Sequence, residues 1–246
     1  MPYLRTTTHE DQGWSEASVL GFLARQRAWF TPGIGCTLAG DRPALPDVAP
    51  VQRAHPFTDA TVPPTPAALA AAIARQFDGT GPGGALNTRA VVVVHDGKLV
   101  AERYGDGFSA GTRQLGWSLS KSVTNLLVGV LVQQGRVDLH RAPALPQWTG
   151  QRAGISLDHL LRMTSGLAWD ETYDLGTPIT EMLYLQPDMG GFAASQPVAH
   201  PPGTWQQYST GSTTIVCSVL AQQVGGGATL PREVLFEPLG LTSAAW

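Results

Sequence analysis

The chain has 246 residues, of which 43% are hydrophobic and 14% are charged. This composition predicts a compact globular protein with a sizeable core and excludes an intrinsically disordered chain. The formal net charge is -3, without a long run of one sign. The sequence therefore has no electrostatic signature of binding to nucleic acid or to an anionic membrane.

Signals for membrane insertion and for export are also missing from the sequence. No stretch of about 18 apolar residues could span a bilayer, and the polar start "MPYLRTTTHEDQGW" has no apolar signal core. With Met1 as the true start, we expect a cytoplasmic protein. Two distant cysteines, Cys36 and Cys217, imply neither a disulfide framework nor a metal site.

The first 64 residues are predicted to form an N-terminal extension. The segment "SEASVLGFLARQRAWF" (15–30) favours one helix, because Ser15 can cap its start and the sequence "TPG" can end it. Residues 31–64 contain many prolines and little hydrophobic periodicity. This second part is predicted to run along the surface without regular structure.

Residues 65–246 are predicted to form the main domain. It begins with a helix over 65–77, in which Thr65 is the N-cap and Pro66 takes the first helical position. Two β-branched runs around Asp96-Gly97 then predict a hairpin over 89–105. After a loop, three further helices are predicted over "SLSKSVTNLLVGVLVQQG" (118–135), "SLDHLLRM" (156–163) and "TTIVCSVLAQQVG" (213–225).

The helix that follows Trp117 has a polar stripe at its N-terminal end. Four polar residues fall within roughly a third of the helical wheel: Ser118, Lys121, Ser122 and Asn125. Five apolar residues fall on the opposite side: Val123, Leu126, Leu127, Val130 and Leu131. Because the helix is too apolar for a surface helix, we expect its polar end to face a cleft and Trp117 to mark a buried approach.

Ser118 and Lys121 form the pattern Ser-x-x-Lys, which suits acyl transfer. A serine at a helix start exposes its hydroxyl, and its backbone N–H has no partner within the helix. Such a donor, aided by the helix dipole, can stabilise a developing oxyanion. Lys121 lies one turn further on, where it can act as a base for the serine. The alternative is a helix cap followed by a surface lysine, because the pattern also occurs by chance.

A second motif, "PPGTWQQYSTGSTTIV" (201–216), places Tyr208 in a short loop before a helix. That position can project the phenol into a cleft, where a tyrosine beside a lysine and a nucleophile can serve as a base or a proton shuttle. The alternative is a half-buried tyrosine with a structural role.

Four segments occur in the order typical of one family. They are "SLSK" (118–121), "LDHLLRMTSGLAWDE" (157–171), "HPPGTWQQYSTGST" (200–213) and "LFEPLGLTSAAW" (235–246). The chain resembles the serine β-lactamase-like hydrolases, which include class C β-lactamases, D-alanyl-D-alanine carboxypeptidases, family VIII esterases and 6-aminohexanoate-dimer hydrolases. The segments "DETYD" and "LQPDMGGFAA" look most similar to the last branch. The resemblance implies an α/β (α+β) fold of the β-lactamase/transpeptidase type, with a helical region and an antiparallel sheet.

The resemblance also implies catalytic roles. Ser118 would be the acylated nucleophile, Lys121 would accept its proton, and Tyr208 would match the tyrosine of the family's Y-x-N motif. Thr210 stands where that motif has asparagine, which favours a small ester or linear amide as substrate over a β-lactam. A β-lactamase or a D-alanyl-D-alanine carboxypeptidase is an alternative. We expect no cofactor, no metal, no nucleic acid and no membrane span.

The family's third motif, K-T-G or H-x-G, does not follow Tyr208, and "FEPLGLTSAAW" normally lies in the middle of such a protein. We therefore expect a C-terminally truncated chain with an incomplete sheet, and an inactive fragment or binding module is a further alternative. Four residues are candidates for the substrate pocket: Asp174, Tyr173, Asn125 and Thr210. Asp170 and Glu171 are expected to line the entrance of the pocket together with Tyr173 and Asp174, and a solvated polar loop is the alternative for this segment.

Two competing sites receive little support from the sequence. Ser109 in "GFSAG" (107–111) matches the nucleophile pattern G-x-S-x-G, but no strand is predicted directly before it and no helix directly after it. The histidines, such as His95, His159 and His200, are scattered and lack the spacing of a metal site. We expect these histidines to be turn or surface residues.

Overall fold

The computed structural model describes residues 4–9, 14–19, 24–31, 35–38, 65–81 and 84–244. The contacts divide these residues into two compact units. The first unit takes the described residues of Met1–Val48 and Trp117–Leu235, and the second takes those of Ala49–Gly116 and Phe236–Ala244. The predicted domain boundary between residues 64 and 65 stays a prediction.

The N-terminal part of the first unit is a four-stranded antiparallel sheet with its strands in sequential order. Its strands are β1 (Leu4–His9), β2 (Trp14–Val19), β3 (Ala24–Thr31) and β4 (Gly35–Leu38).

The helix predicted over residues 15–30 is wrong, because this segment contains β2 and β3, paired with Trp14 opposite Trp29. Gly21, in the middle of the segment, is unfavourable inside a helix, and cross-strand pairing outweighs a local helical preference. The prediction of no regular structure over 31–64 is also wrong at β4. The rest of that prediction, over 32–34 and 39–64, lies outside the described residues.

The second unit contains the predicted early helix and hairpin. The helix α1 (Ala67–Asp78) has Pro66 at its N-cap, one residue after the predicted cap. A short pair, β5 (Thr80–Gly81) and β6 (Gly84–Ala85), precedes the hairpin of β7 (Ala90–His95) and β8 (Lys98–Tyr104). Asp96 and Gly97 at the turn have φ of 49° and 71°, the positive values that a tight two-residue turn requires. The predicted hairpin is confirmed.

The helical region begins where the sequence predicts it. Its helices in the first unit are α2 (Leu119–Gln133), α3 (Leu157–Leu161), α4 (Pro178–Leu185), α5 (Met189–Ser195) and α6 (Thr210–Gln223). A short α7 (Glu237–Leu239) belongs to the second unit. In the part of the chain that the structure describes, no helix is long and apolar enough to cross a membrane.

Side-chain caps fix the starts of three of these helices, including α5, where the Gly191 N–H donates to Oδ1 of Asp188 at 2.9 Å. Ser156 and His159 cap α3 reciprocally: the His159 N–H donates to Oγ of Ser156 at 3.3 Å, and the Ser156 N–H donates to Nδ1 of His159 at 3.2 Å. The hydroxyl of Ser209 accepts from the N–H of Ser212 at 3.0 Å. Because of this cap, α6 begins three residues before the predicted start at 213.

The core of the helical region gathers apolar side chains from several helices. Side chains with almost no exposed surface come from α2, α3, α4 and α6: Leu131, Leu160, Ile179, Met182, Ile215, Val216 and Val219. α6 therefore lies at the centre of this region, and its N-terminal end is fixed with respect to α3, α4 and α5 by packing.

The buried face of α2 is rotated from the predicted one. Thr124, Leu127, Val128 and Leu131 are buried, whereas Leu126, predicted for the apolar face, is 58% exposed. Trp117, which was expected to be buried, is 73% exposed. The reason is the position of α6, which packs on the Thr124 side, where the hydroxyl of Thr124 lies 4.0 Å from Sγ of Cys217. The Cys217 thiol is free.

Two truncations on α2 test this orientation. Leu131→Ala, at a side chain with 0% exposure, should lower the free energy of unfolding by about 2–5 kcal/mol, because it leaves a cavity. Leu126→Ala should change it by less than about 0.5 kcal/mol. Urea denaturation measures both values, and equal losses at the two positions would contradict the orientation of α2.

Candidate active site

Ser118 and Lys121 are brought into contact by the first turn of α2. Ser118 is the N-cap residue, with φ of -68° and ψ of -9°, and Lys121 lies in the first turn. The ammonium of Lys121 donates a hydrogen bond to Oγ of Ser118, with a distance of 3.1 Å between Nζ and Oγ. Ser118 is exposed and Lys121 is half-buried, so the serine hydroxyl is accessible while its partner is partly shielded from water.

The residue before Ser118 has an unusual backbone conformation. Trp117 has φ of 43°, in the left-handed region that bulky residues rarely adopt. Its carbonyl accepts hydrogen bonds from Ser120, from the N–H at 3.0 Å and from the hydroxyl at 2.6 Å. These bonds hold a sharp turn into α2, which costs about 1–3 kcal/mol of strain and presents Ser118 at the helix start.

Lys121 also contacts the segment that leads into α6. Its Nζ lies 4.9 Å from the ring centroid of Tyr208 and donates to Oγ1 of Thr210 at 3.1 Å. Tyr208 is 46% exposed. The three residues predicted for catalysis, together with Thr210 from the predicted pocket, therefore meet around one ammonium group.

The carboxylate of Glu171, a residue predicted to line the pocket entrance, contacts Thr210. Glu171 accepts hydrogen bonds from the backbone N–H of Thr210 at 2.9 Å and from the hydroxyl of the same residue. It also accepts one from the indole N–H of Trp169. The "WDE" segment is thus tied to the first residue of α6. The sequence gives no spacing rule that joins Glu171 to a residue 39 positions later.

Two glycines allow the close approaches that build this arrangement. A Cβ on Gly211 would lie 2.6 Å from the Trp169 ring, so α6 can pack on the indole only with glycine there. Gly166 has φ of +76°, and its Cβ would lie 2.0 Å from the His200 carbonyl. The carbonyl of Gly166 accepts from the N–H groups of Ala199 and His200 at 2.8 and 3.0 Å. The "MTSGLAWDE" and "HPPGTW" segments are thereby held together.

The remaining predicted pocket residues differ in their relation to this cluster. Burial raises the pKa of Tyr173, and the Glu171 carboxylate and the phenols of Tyr184 and Tyr208 raise it further, so Tyr173 lies close to the site. Asn125 and Asp174 are exposed. Neither side chain makes a hydrogen bond to the cluster among the described residues.

The competing candidates have structural roles. The hydroxyls of Ser109 and Thr112 lie 3.2 Å apart within a turn of the second unit. His200 stacks on Trp205 with ring centroids 5.1 Å apart, and His159 caps α3. Among the residues that the structure describes, no group of three or more His, Cys, Asp or Glu could hold a metal ion.

A cavity of about 200 Å³ lies elsewhere in the first unit, beside α5 and α6. Its lining includes Asp188, Gly191, Ile215 and Ser218, and none of the predicted site residues. Chemistry therefore favours the cluster around Lys121, where a serine hydroxyl, a lysine ammonium and a phenol meet, over this cavity.

Comparison with known proteins agrees with this fold, which is that of a serine β-lactamase-like protein. The family model described as Beta-lactamase matches residues 69–246. The chain belongs to the beta-lactamase family, so the resemblance found in the sequence is confirmed. No match was found among curated proteins.

Two solved structures are similar in fold. The "Putative 6-aminohexanoate-dimer hydrolase from Bacillus anthracis" has 22% identity and a TM-score of 0.50, with 61% of this chain and 43% of that chain covered. The "putative beta-lactamase from Bacteroides dorei DSM 17855" has 23% identity and a TM-score of 0.54, with 71% and 51% covered. The chain thus spans about half the length of these structures. The likeness confirms the predicted fold class and concerns the fold alone.

A pair of glycine substitutions tests the packing of α6 on Trp169. Gly211→Ala should lower the free energy of unfolding by about 1–3 kcal/mol, because the new methyl group meets a buried ring. Gly129→Ala in α2, where the new Cβ meets no described atom within 4 Å apart from its chain neighbours and the backbone of its own helix, should raise it by up to about 1 kcal/mol. Thermal or urea denaturation measures both changes, and a neutral Gly211→Ala would show that the indole does not pack this closely.

Proposed function

We propose that the chain carries the nucleophilic half-site of a serine hydrolase that acts on a small ester or a linear amide through an acyl-enzyme on Ser118. The observation that carries this proposal is the 3.1 Å hydrogen bond between Nζ of Lys121 and Oγ of Ser118 at the start of α2. A hydroxyl at a helix N-terminus with an amine one turn away has the parts that a serine nucleophile needs.

In the first half of the proposed reaction, Lys121 in its neutral amine form takes the hydroxyl proton while Oγ of Ser118 bonds to the substrate's carbonyl carbon. The carbonyl oxygen becomes an oxyanion, and the N–H of Ser118 and the positive end of α2 stabilise it. Collapse of this intermediate breaks the bond to the leaving alcohol or amine. The leaving group takes up the proton, relayed by Lys121 and Tyr208, and the acyl group stays on Ser118.

In the second half, water attacks the acyl carbon and gives a proton to the same relay. The bond to Oγ breaks, Oγ takes the proton back, and a carboxylic acid leaves. The position of Tyr208 supports its role, since its ring lies 4.9 Å from the Lys121 ammonium and its exposed phenol is accessible to a leaving group. No step requires a metal or an organic cofactor.

Thr210 supports an ester or a linear amide as the substrate. Its hydroxyl accepts from Lys121 and donates to Glu171, so its single proton is engaged within the protein and is not offered to a substrate. An asparagine at this position would offer amide N–H groups as additional donors to a polar substrate. A linear amide also agrees with the structural neighbour whose name describes a 6-aminohexanoate-dimer hydrolase.

The family match favours a second candidate function. A β-lactamase or a D-alanyl-D-alanine carboxypeptidase would use the same Ser118 and Lys121, and the matching family model is described as Beta-lactamase. A fluorescent penicillin distinguishes the two candidates. Acylation of Ser118 by the penicillin, whether or not the adduct is then hydrolysed, supports the second candidate. Labelling by an ester-like probe alone supports the first.

The nucleophile is tested by covalent labelling of the chain with a fluorophosphonate. We expect the wild-type chain to be labelled, and Ser118→Ala to reduce labelling by at least about a thousandfold, because the attacking oxygen is lost. Ser109→Ala removes the serine of the competing pattern and should leave the rate within about twofold. Mass spectrometry locates the adduct. Equal labelling of wild type and Ser118→Ala would overturn the proposed nucleophile, and an unlabelled wild type would favour an inactive or binding module.

The phenol of Tyr208 is tested by its removal. Tyr208→Phe should slow hydrolysis of p-nitrophenyl butyrate, or labelling where no turnover is seen, by about 10²–10⁴-fold, the range for loss of a general acid–base group. Tyr104→Phe is the matched control, because that phenol donates to Glu102 in the second unit. If both variants keep wild-type rates, Tyr208 has no part in proton transfer.

A further inference from the structure

The Glu171 carboxylate is unusually well supplied with donors for a residue in a surface loop. Its two oxygens accept from the Trp169 indole, the Thr210 backbone and the Thr210 hydroxyl. The indole itself is buried, and the carbonyl of Trp169 accepts from the side-chain amide of Gln207. The carboxylate is therefore held in one place by groups from two separate segments of the chain.

The hydroxyl of Thr210 has one proton and two lone pairs. Glu171 in its ionised form can only accept hydrogen bonds, so the hydroxyl must direct its proton to the carboxylate. The lone pairs of Oγ1 are then left to accept from Nζ of Lys121, which lies 3.1 Å away. The same Nζ is 3.1 Å from Oγ of Ser118. One chain of hydrogen bonds thus connects Glu171, Thr210, Lys121 and Ser118.

We propose that Glu171 is a positioning residue for the Ser118–Lys121 pair. By fixing the hydroxyl of Thr210 as an acceptor, it holds the amine of Lys121 in the direction of Ser118, without touching either residue itself. This role rests on the proposed function. It also explains how threonine can replace the asparagine of the family motif, since the carboxylate gives the threonine hydroxyl a single orientation.

A merely structural role is the competing explanation, because a carboxylate on the first N–H of α6 also stabilises the helix end. Substitutions at Thr210 distinguish the positioning role from the structural role. Thr210→Val removes the hydroxyl but retains the side-chain shape and the backbone N–H that Glu171 caps. Thr210→Ser retains the hydroxyl and the same backbone N–H. A positioning role requires loss in the first variant and rescue in the second.

The first test measures the rate of fluorophosphonate labelling at Ser118 in a double-mutant cycle. Glu171→Gln and Thr210→Val should each slow labelling by about tenfold or more. The labelling rate of the double variant should lie within about twofold of the slower single variant, since both changes break the same connection between Glu171 and Lys121. Thr210→Ser should stay near the wild-type rate. Glu181→Gln, the same change in the first turn of α4, is the charge-matched control and should also stay near it. Multiplicative losses in the double variant would overturn the proposal.

The second test does not depend on turnover. The sequence contains only two lysines, Lys98 and Lys121, and Lys98 is exposed in the hairpin, so it serves as an internal reference. Reductive methylation with mass spectrometry gives the reactivity of Lys121 relative to Lys98. We expect this ratio to rise at least about threefold in Glu171→Gln and Thr210→Val, because an amine freed from the threonine hydroxyl meets the reagent more often, and to stay unchanged in Glu181→Gln.

The outcomes of the two tests are distinct. An unchanged lysine ratio in Thr210→Val overturns the role of Glu171 whatever the labelling shows, even where Glu171→Gln fails to fold. The second outcome combines a raised lysine ratio in Thr210→Val with fluorophosphonate labelling that persists in Ser118→Ala. It supports the connection between Glu171 and Lys121 but overturns the proposed function.

Discussion

The arrangement of the site depends on one half-buried ammonium group. Lys121 donates to Ser118 on its own helix and to Thr210 on α6, each at 3.1 Å, and the Tyr208 ring lies beside it. A charge shielded from water is costly unless it has partners, so the starts of α2 and α6 are constrained to lie together. Residues 89 positions apart in the sequence therefore share a site because of one cation.

Support for that cation comes from backbone contacts as much as from side chains. Gly166 and Gly211 stand where any Cβ would collide with a carbonyl or an indole, and the segments that they join include Trp169 and Glu171. A site whose polar groups are held by close-packed backbone changes shape little when a substrate arrives. The geometry around Ser118 is accordingly a property of the free protein, which in the proposed reaction would lower the entropic cost of reaching a reactive arrangement.

Features set by neighbours in sequence could be predicted, and features set by distant pairing could not. The Asp96-Gly97 turn, the short helix α3 and the one-turn spacing of Ser118 and Lys121 follow from local geometry. The β2–β3 hairpin replaced a predicted helix because strand pairing is decided between segments. The buried face of α2 depends on the position of α6. The contacts of Glu171 depend on Thr210, a partner 39 residues later, and a single sequence contains no rule for such a distant contact.

At position 117, the backbone conformation and the side chain favour different residues. The left-handed backbone of Trp117, with φ of 43°, costs about 1–3 kcal/mol, whereas glycine adopts that conformation without the steric cost. Burial of the indole offsets little of this cost, since 73% of the residue is exposed. Selection for thermal resistance alone would therefore favour glycine at position 117, and the aromatic group next to Ser118 would be lost with that change.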